Sequence, residues 1–118
     1  MLAQLGMKGP YELNKDIVGS ILESARIGNY ALGKINDKGL FIPYKVGRSE
    51  QDLQKELLSW CEFHHYTHFA YAYAAGIKQA YEKECHNYHD LFAWLQNPPH
   101  PVLPKNISCK CPNQWCDR

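Results

Sequence analysis

GNYALGKINDKGLFIPYKVGRS, residues Gly28 to Ser49, reads as a β-hairpin that feeds a helix. Tyr30-Ala31-Leu32 opens a short strand, and Asn36-Asp37-Lys38-Gly39 supplies the turn. Asn and Asp tolerate left-handed backbone, and Gly39 takes a positive φ with no Cβ to clash. Leu40-Phe41-Ile42 and Tyr44-Lys45-Val46 form the returning strand. Pro43 confines that strand to a sheet edge or a bulge, because it has no N–H to give to a ladder. Gly47 ends the strand and Ser49 caps the next helix. Each strand carries a tyrosine close to a glycine, Tyr30 and Tyr44, and on adjacent antiparallel strands the two can share a face. That pair is the possible chemical centre.

Working outward, Ile17, Ile21 and Ala25, with Val18 and Leu22 beside them, recur at helical spacing over about Asn14–Ala25. Residues 1–10 read as a loose lead-in closed by Gly9-Pro10, so residues 1–25 form an N-terminal helical brace. After the hairpin, Ser49-Glu50-Gln51-Asp52 resembles a capping box. Leu53, Leu57 and Trp60 then make one apolar stripe, with Glu56 on its flank and Lys55 pointing away, and the helix ends near Cys61. Phe69, Tyr71 and Tyr73 alternate with small residues as a half-buried strand does. A second long helix runs from about Lys78 to Leu95 with Ile77, Ala80, Tyr88 and Leu91 on one stripe. Glu84 stands in the middle of that stripe. A carboxylate there needs a charge, a metal or hydrogen bonds to offset its desolvation, unless it leans to solvent or pairs with a lysine. Beyond Leu95 the prolines Pro98, Pro99, Pro101 and Pro104 mark residues 96–118 as an extended tail.

The chain of 118 residues is one domain with a modest core. Its net charge of +1 announces no global nucleic-acid field, so any such binding rests on a local patch. Lys45, Arg48 and Lys55, with Lys34, Lys38 and Lys78, could line one, and a solvated face of mixed charge accounts for them as well. No apolar run reaches membrane-spanning length and the first residues lack the pattern of a signal peptide, so no membrane partner and a cytoplasmic location are expected. Five cysteines in a reducing compartment read as free thiols or metal ligands.

Cys85 and His89 lie one helical turn apart on one face, the i,i+4 geometry of helical metal ligands. The tail adds His100, Cys109, Cys111 and Cys116. Two ligands from each part, with Cys111 and Cys116 preferred in the tail, would make a tetrahedral structural zinc site. The bland alternative is a buried small hydrophobe at Cys85 and a satisfied imidazole at His89. His64, His65 and His68 cluster in a polar stretch, where solvation accounts for them as readily as phosphate or metal contact.

The hairpin resembles a GIY-YIG nuclease domain. Gly28-Asn29-Tyr30 stands where that family has Gly-Ile-Tyr, and Tyr44-Lys45-Val46-Gly47 stands near Tyr-Ile-Gly. The order of hairpin, helix, strand and helix also agrees over residues 26–95. GNYALG, YKVGRS, DLQKEL, EKECHNYHD and the closing HP…CP…C are similar to small stand-alone prokaryotic proteins that carry the domain. The resemblance implies an α+β fold, a three-stranded antiparallel sheet flanked by helices. It also implies hydrolysis of phosphodiester bonds, in DNA before RNA, with one Mg²⁺ or Mn²⁺. Tyr30 would orient or activate the attacking water, Tyr44 would assist, and Glu84 would bind the metal. The family also places an arginine on the helix after the hairpin, immediately before a leucine; with Leu57 setting the register, Glu56 stands there. Arg48 or Lys55 would have to compensate. The alternatives are a catalytically degenerate domain that binds nucleic acid or a protein partner, a second copy included, or a zinc-stapled interaction module.

Overall fold

Asn36 holds the turn on which the hairpin closes. In the computed structural model, which describes residues 6–92, 95, 100–105 and 111–112, its Oδ1 accepts from the backbone N–H groups of Lys38 and Leu40, each at 2.9 Å. Gly39 takes φ +78°, the left-handed backbone the turn requires. The chain runs β1 (Lys8–Glu12), α1 (Lys15–Ile21), β2 (Gly28–Ile35), β3 (Phe41–Ser49), α2 (Leu53–Cys61), β4 (His68–Tyr73) and α3 (Ile77–Asp90). The strands form one antiparallel sheet in the order β1-β4-β2-β3. Pro43 is accommodated in both of the expected ways: β3 is an edge strand, and its register with β2 shifts between the pairs Leu32↔Lys45 and Gly33↔Pro43.

The α+β class is as expected, but the sheet has four strands rather than three. β1 begins within what reads as a loose lead-in. Gly9-Pro10 looks like a loop signal, yet an outer strand spares the N–H that proline lacks. Gly9 at φ +124° and Pro10 sit inside a register shift between Lys8↔Tyr71 and Tyr11↔Phe69. Both flanking helices are also shorter than their apolar patterns. α1 begins after Asn14, whose side chain accepts from Ile17 N–H at 2.9 Å, and stops at Ile21; α3 stops at Asp90. Ser49 is not the cap of α2. β3 runs through Ser49, whose Oγ accepts from Asp52 N–H at 3.0 Å, and Asp52 then caps the helix by accepting from Lys55 N–H at 3.1 Å.

The sheet separates two cores. On one face Tyr30, Leu32, Phe69 and Tyr71 meet Val18 and Leu22 and the α2 residues Leu53, Leu57 and Cys61. Leu32, Leu53 and Leu57 are wholly buried, and each such side chain stabilises the fold by about 1.5–3 kcal/mol. On the other face Ala31 pairs with Ala70, and with Val46 and Phe41 they pack against Leu91 and Leu95. Those two alanines leave room for α3, and buried Asn29 fastens it by donating Nδ2–H to the Ala80 carbonyl at 2.8 Å. The buried residues of α3 are Ala80, Tyr81, Cys85 and Asn87, with Ile77 and Tyr88 half-buried, so its inward face is turned toward Tyr81 and Cys85 relative to the expected stripe. Among the described residues, no helix is long and apolar enough to cross a membrane.

Candidate active site at the sheet edge

Two side chains reach the rim of β3 from its opposite faces. Tyr30 lies across from Gly47 in the ladder. Its ring crosses the glycine so closely that a Cβ there would stand 2.5 Å from the hydroxyl oxygen and 2.6 Å from Cζ. Only glycine lets the phenol pass over the edge strand, because Tyr30 is 3% exposed and its ring has nowhere to retreat. Beyond the glycine, the Tyr30 hydroxyl donates to Glu56 Oε2 at 2.8 Å and accepts from the Trp60 indole N–H at 3.3 Å. Glu56 and Trp60 are four apart on α2, which puts them on one helix face. Lys45 Nζ stands 5.3 Å from the centre of the Trp60 ring. Burial, then the Glu56 carboxylate, push the Tyr30 phenol far above its ordinary range, and the Glu84 charge adds to the shift. The hydroxyl therefore keeps its proton at neutral pH and acts as an oriented dipole.

Arg48 follows Gly47 and pairs across the ladder with Asn29. Its Nε donates to Glu50 Oε2 at 2.9 Å, Nη1 to Glu84 Oε1 at 2.5 Å and Nη2 to the Val102 carbonyl at 2.5 Å. Its guanidinium carbon lies 5.3 Å from the centre of the Tyr81 ring. The Arg48 and Glu84 side chains are 10% and 13% exposed. Burial raises the Glu84 carboxyl pKa, and Arg48 opposes that shift without cancelling it. At Arg48 burial works against the charge, while Glu50 and Glu84 more than reverse it, so the pKa lies above its ordinary value. The acid on the apolar stripe is thus answered by an arginine from the sheet.

The structure brings Tyr30, Lys45, Arg48 and Glu84 to one rim. Tyr44 is half-buried at the register shift of β3, and among the described residues it shares no hydrogen bond or ring contact with Tyr30. Lys55 is exposed on α2 and borders a cleft of about 290 Å³, together with Ser49, Gln51, Asp52, Glu56 and Ser59. His64 and His65 are exposed, and His68 opens β4 opposite Gly33. Glu56, which by resemblance stands in place of a cation, is the partner of Tyr30. The sequence signals for it and Trp60 were only their flank and stripe positions on α2.

A second cluster lies on the buried side of α3. The ligand atoms of Cys85, His100 and Cys111 fall within 4.8 Å of one another, and the three could hold a metal ion. Cys61, Cys85 and Cys111 carry free thiols. Burial, with the Cys111 thiol adding, pushes Cys85 up to about 12. His89 touches this group, with Nε2 3.4 Å from Cys111 Sγ, and its imidazole pKa is lowered by burial and by His100. Of the expected set, Cys85 and Cys111 come together with His89 alongside. Cys116 lies outside the described residues, and His100, seen in the sequence only as a neighbour of the tail cysteines, joins the group. No protein-family model, no curated protein and no solved structure matches this chain.

Proposed function

We propose that this protein is a GIY-YIG-like, divalent-metal-dependent endonuclease that hydrolyses DNA phosphodiester bonds at the β3 rim. The observation that carries the reading is the Tyr30 hydroxyl, seated over Gly47 against Glu56, at the rim where Arg48 meets the buried carboxylate Glu84. A phenol that donates to Glu56 leaves oxygen lone-pair density to receive a water's proton. Tyr30 orients that water, and Glu56 accepts the proton that leaves through the phenol. Arg48 and Lys45 supply positive charge for a phosphodiester, with Lys55 beside the cleft. Glu84 suits a hard divalent cation: its oxygens are the right donors, and a further positive charge would offset the burial that raises its carboxyl pKa. Mg²⁺ or Mn²⁺ held there would neutralise charge on the phosphate oxygens and the leaving group. The thiol–imidazole cluster we assign to Zn²⁺, in a structural role.

The Arg48–Glu84 pair favours a second reading, in which Arg48 permanently occupies the carboxylate and the domain binds nucleic acid without cutting it. A nicking assay on supercoiled plasmid and single-stranded DNA with Mg²⁺ or Mn²⁺ decides between them. Under the first reading EDTA and Glu84→Gln abolish cleavage, and Tyr30→Phe slows it by about 10²–10⁴-fold, the range of positioned proton transfer. DNA bound but never cut is the result of the second.

A further inference from the structure

Three side chains of metal-ligating type from two separate parts of the chain converge beside α3, and a fourth, His89, lies against them. Cys85 and His89 come from consecutive turns of the helix. His100 and Cys111 come from the chain that returns after it. The Cys85, His100 and Cys111 ligand atoms lie within 4.8 Å of one another. His89 Nε2 is 3.4 Å from Cys111 Sγ, and the rings of His89 and His100 are centred 5.4 Å apart. His100 Nδ1 lies 2.9 Å from the Pro101 carbonyl. A carbonyl can only accept, so Nδ1 carries the proton and the lone pair is on Nε2. That tautomer makes Nε2 the ligating nitrogen, with Nδ1–H held by a carbonyl as metal-ligating imidazoles usually are.

We propose that Cys85, His89, His100 and Cys111 form a tetrahedral Cys₂His₂ zinc site that fastens residues 100–105 and 111–112 to α3. The inference rests on the assignment of zinc to this cluster, and it adds the fourth ligand and what the site does. Soft thiolates with imidazoles select zinc over the hard cation that Glu84 suits, although Glu84 and Cys85 are neighbours in sequence. Four protein ligands leave no open position, so the zinc holds structure and does no hydrolysis. Its consequence lies at the rim. Val102, two residues beyond His100, gives its carbonyl to Arg48 Nη2 at 2.5 Å. Fastening His100 sets that acceptor in place, and with it the guanidinium that pairs with Glu84.

The test uses the full chain, reduced and stripped by a chelator, then titrated with Zn²⁺ or Co²⁺ alone, with thiols counted first. The expected result is one ion per chain, with intense tetrahedral cobalt bands and thiolate charge transfer. Losing a group that only supports a ligand costs about 10–100-fold in metal affinity, so Cys85→Ser, His89→Ala, His100→Ala and Cys111→Ser should each cost at least about 100-fold. Cys116→Ser should leave the affinity unchanged. Circular dichroism of each metal-free variant separates loss of a ligand from loss of fold. Limited proteolysis should show residues 100–105 protected only when zinc is bound. Absence of stoichiometric metal with all thiols reduced overturns the site. Retained affinity in His89→Ala, or lost affinity in Cys116→Ser, overturns the ligand set. Equal proteolysis with and without zinc overturns the clamp. Plasmid nicking is a separate readout: zinc bound without any cleavage sinks the nuclease reading alone, and Glu84→Gln should keep its zinc.

Discussion

Glu84 and Cys85 are adjacent on α3, yet they serve two clusters assembled in different ways. The rim cluster is made of side chains on regular elements. The β2–β3 register lays Tyr30 over Gly47 and puts Arg48 next to it, while α2 and α3 bring Glu56 and Glu84 to the same strand. Its side chains come together with the sheet and its helices, and the returning chain adds only the Val102 carbonyl on Arg48. The thiol–imidazole cluster takes Cys85 and His89 from α3, but His100 and Cys111 arrive only when the chain comes back. Hard oxygen and guanidinium groups populate the first, soft sulfur and imidazole the second. The contrast teaches that one helix can present a charge-compensated carboxylate to the sheet and a thiol to the returning chain, because successive residues point about 100° apart.

The sharpest way to break the comparison is to damage the rim and ask whether the other cluster survives. Glu84→Ala leaves Arg48 with a lost partner in a site that is largely closed to water. Breaking a buried ion pair costs about 3–5 kcal/mol, to be read as a lowered urea midpoint. Zinc stoichiometry is expected to persist in the folded fraction. Gly47→Ala should cost about 1–3 kcal/mol by forcing the Tyr30 ring off the strand, and the same variant should lose cleavage even at temperatures where it remains folded. Tyr30→Phe removes one hydroxyl and should cost about 1 kcal/mol in urea denaturation.

Glu84 also gives the rim a pH signature. Its carboxyl pKa is raised in the folded state, so the native protein binds the proton more tightly than the unfolded chain does. Its contribution to stability is therefore fully present below the ordinary Glu range and is lost as pH rises through the raised value. Subtracting the pH–stability curve of Glu84→Gln from that of the natural chain should isolate this fall; a flat difference would remove the burial argument. The smallest effect is expected at Lys55, exposed on α2. Lys55→Ala should leave stability within about 0.5 kcal/mol and flatten the salt dependence of DNA binding by about 0.7–0.9 in log–log slope, the loss of one phosphate contact.

What could be read from the sequence was what is signalled locally. Asn36 and Gly39 announce the hairpin, and Pro43 announces an edge or a bulge. Glu84 stands out because helical periodicity exposes a misplaced charge. What could not be read depends on how distant elements meet. β1 hides behind Gly9-Pro10, since a dipeptide that breaks an inner strand is harmless at the outer one. Glu56 looks like a loss when compared with an expected arginine. Its hydrogen bond to Tyr30 is fixed by the packing of Leu53 and Leu57 of α2 on the sheet, which no local pattern encodes. His100 stands in the sequence only as a neighbour of the tail cysteines, and the path of the returning chain is what brings it to Cys85 and Cys111.

Pro10 and Pro43 mark the two outer strands, and each lies within a break in register. An unbroken outer strand is an invitation to any passing peptide backbone, and through it to sheet-to-sheet stacking between molecules. Here both margins withdraw that invitation. A partner cannot dock by extending the ladder over its full length, and must recognise this protein through side chains. On the β3 margin Tyr30 and Arg48 are already engaged with their own neighbours, and half-buried Lys45 beside Trp60 is the side chain turned to that task.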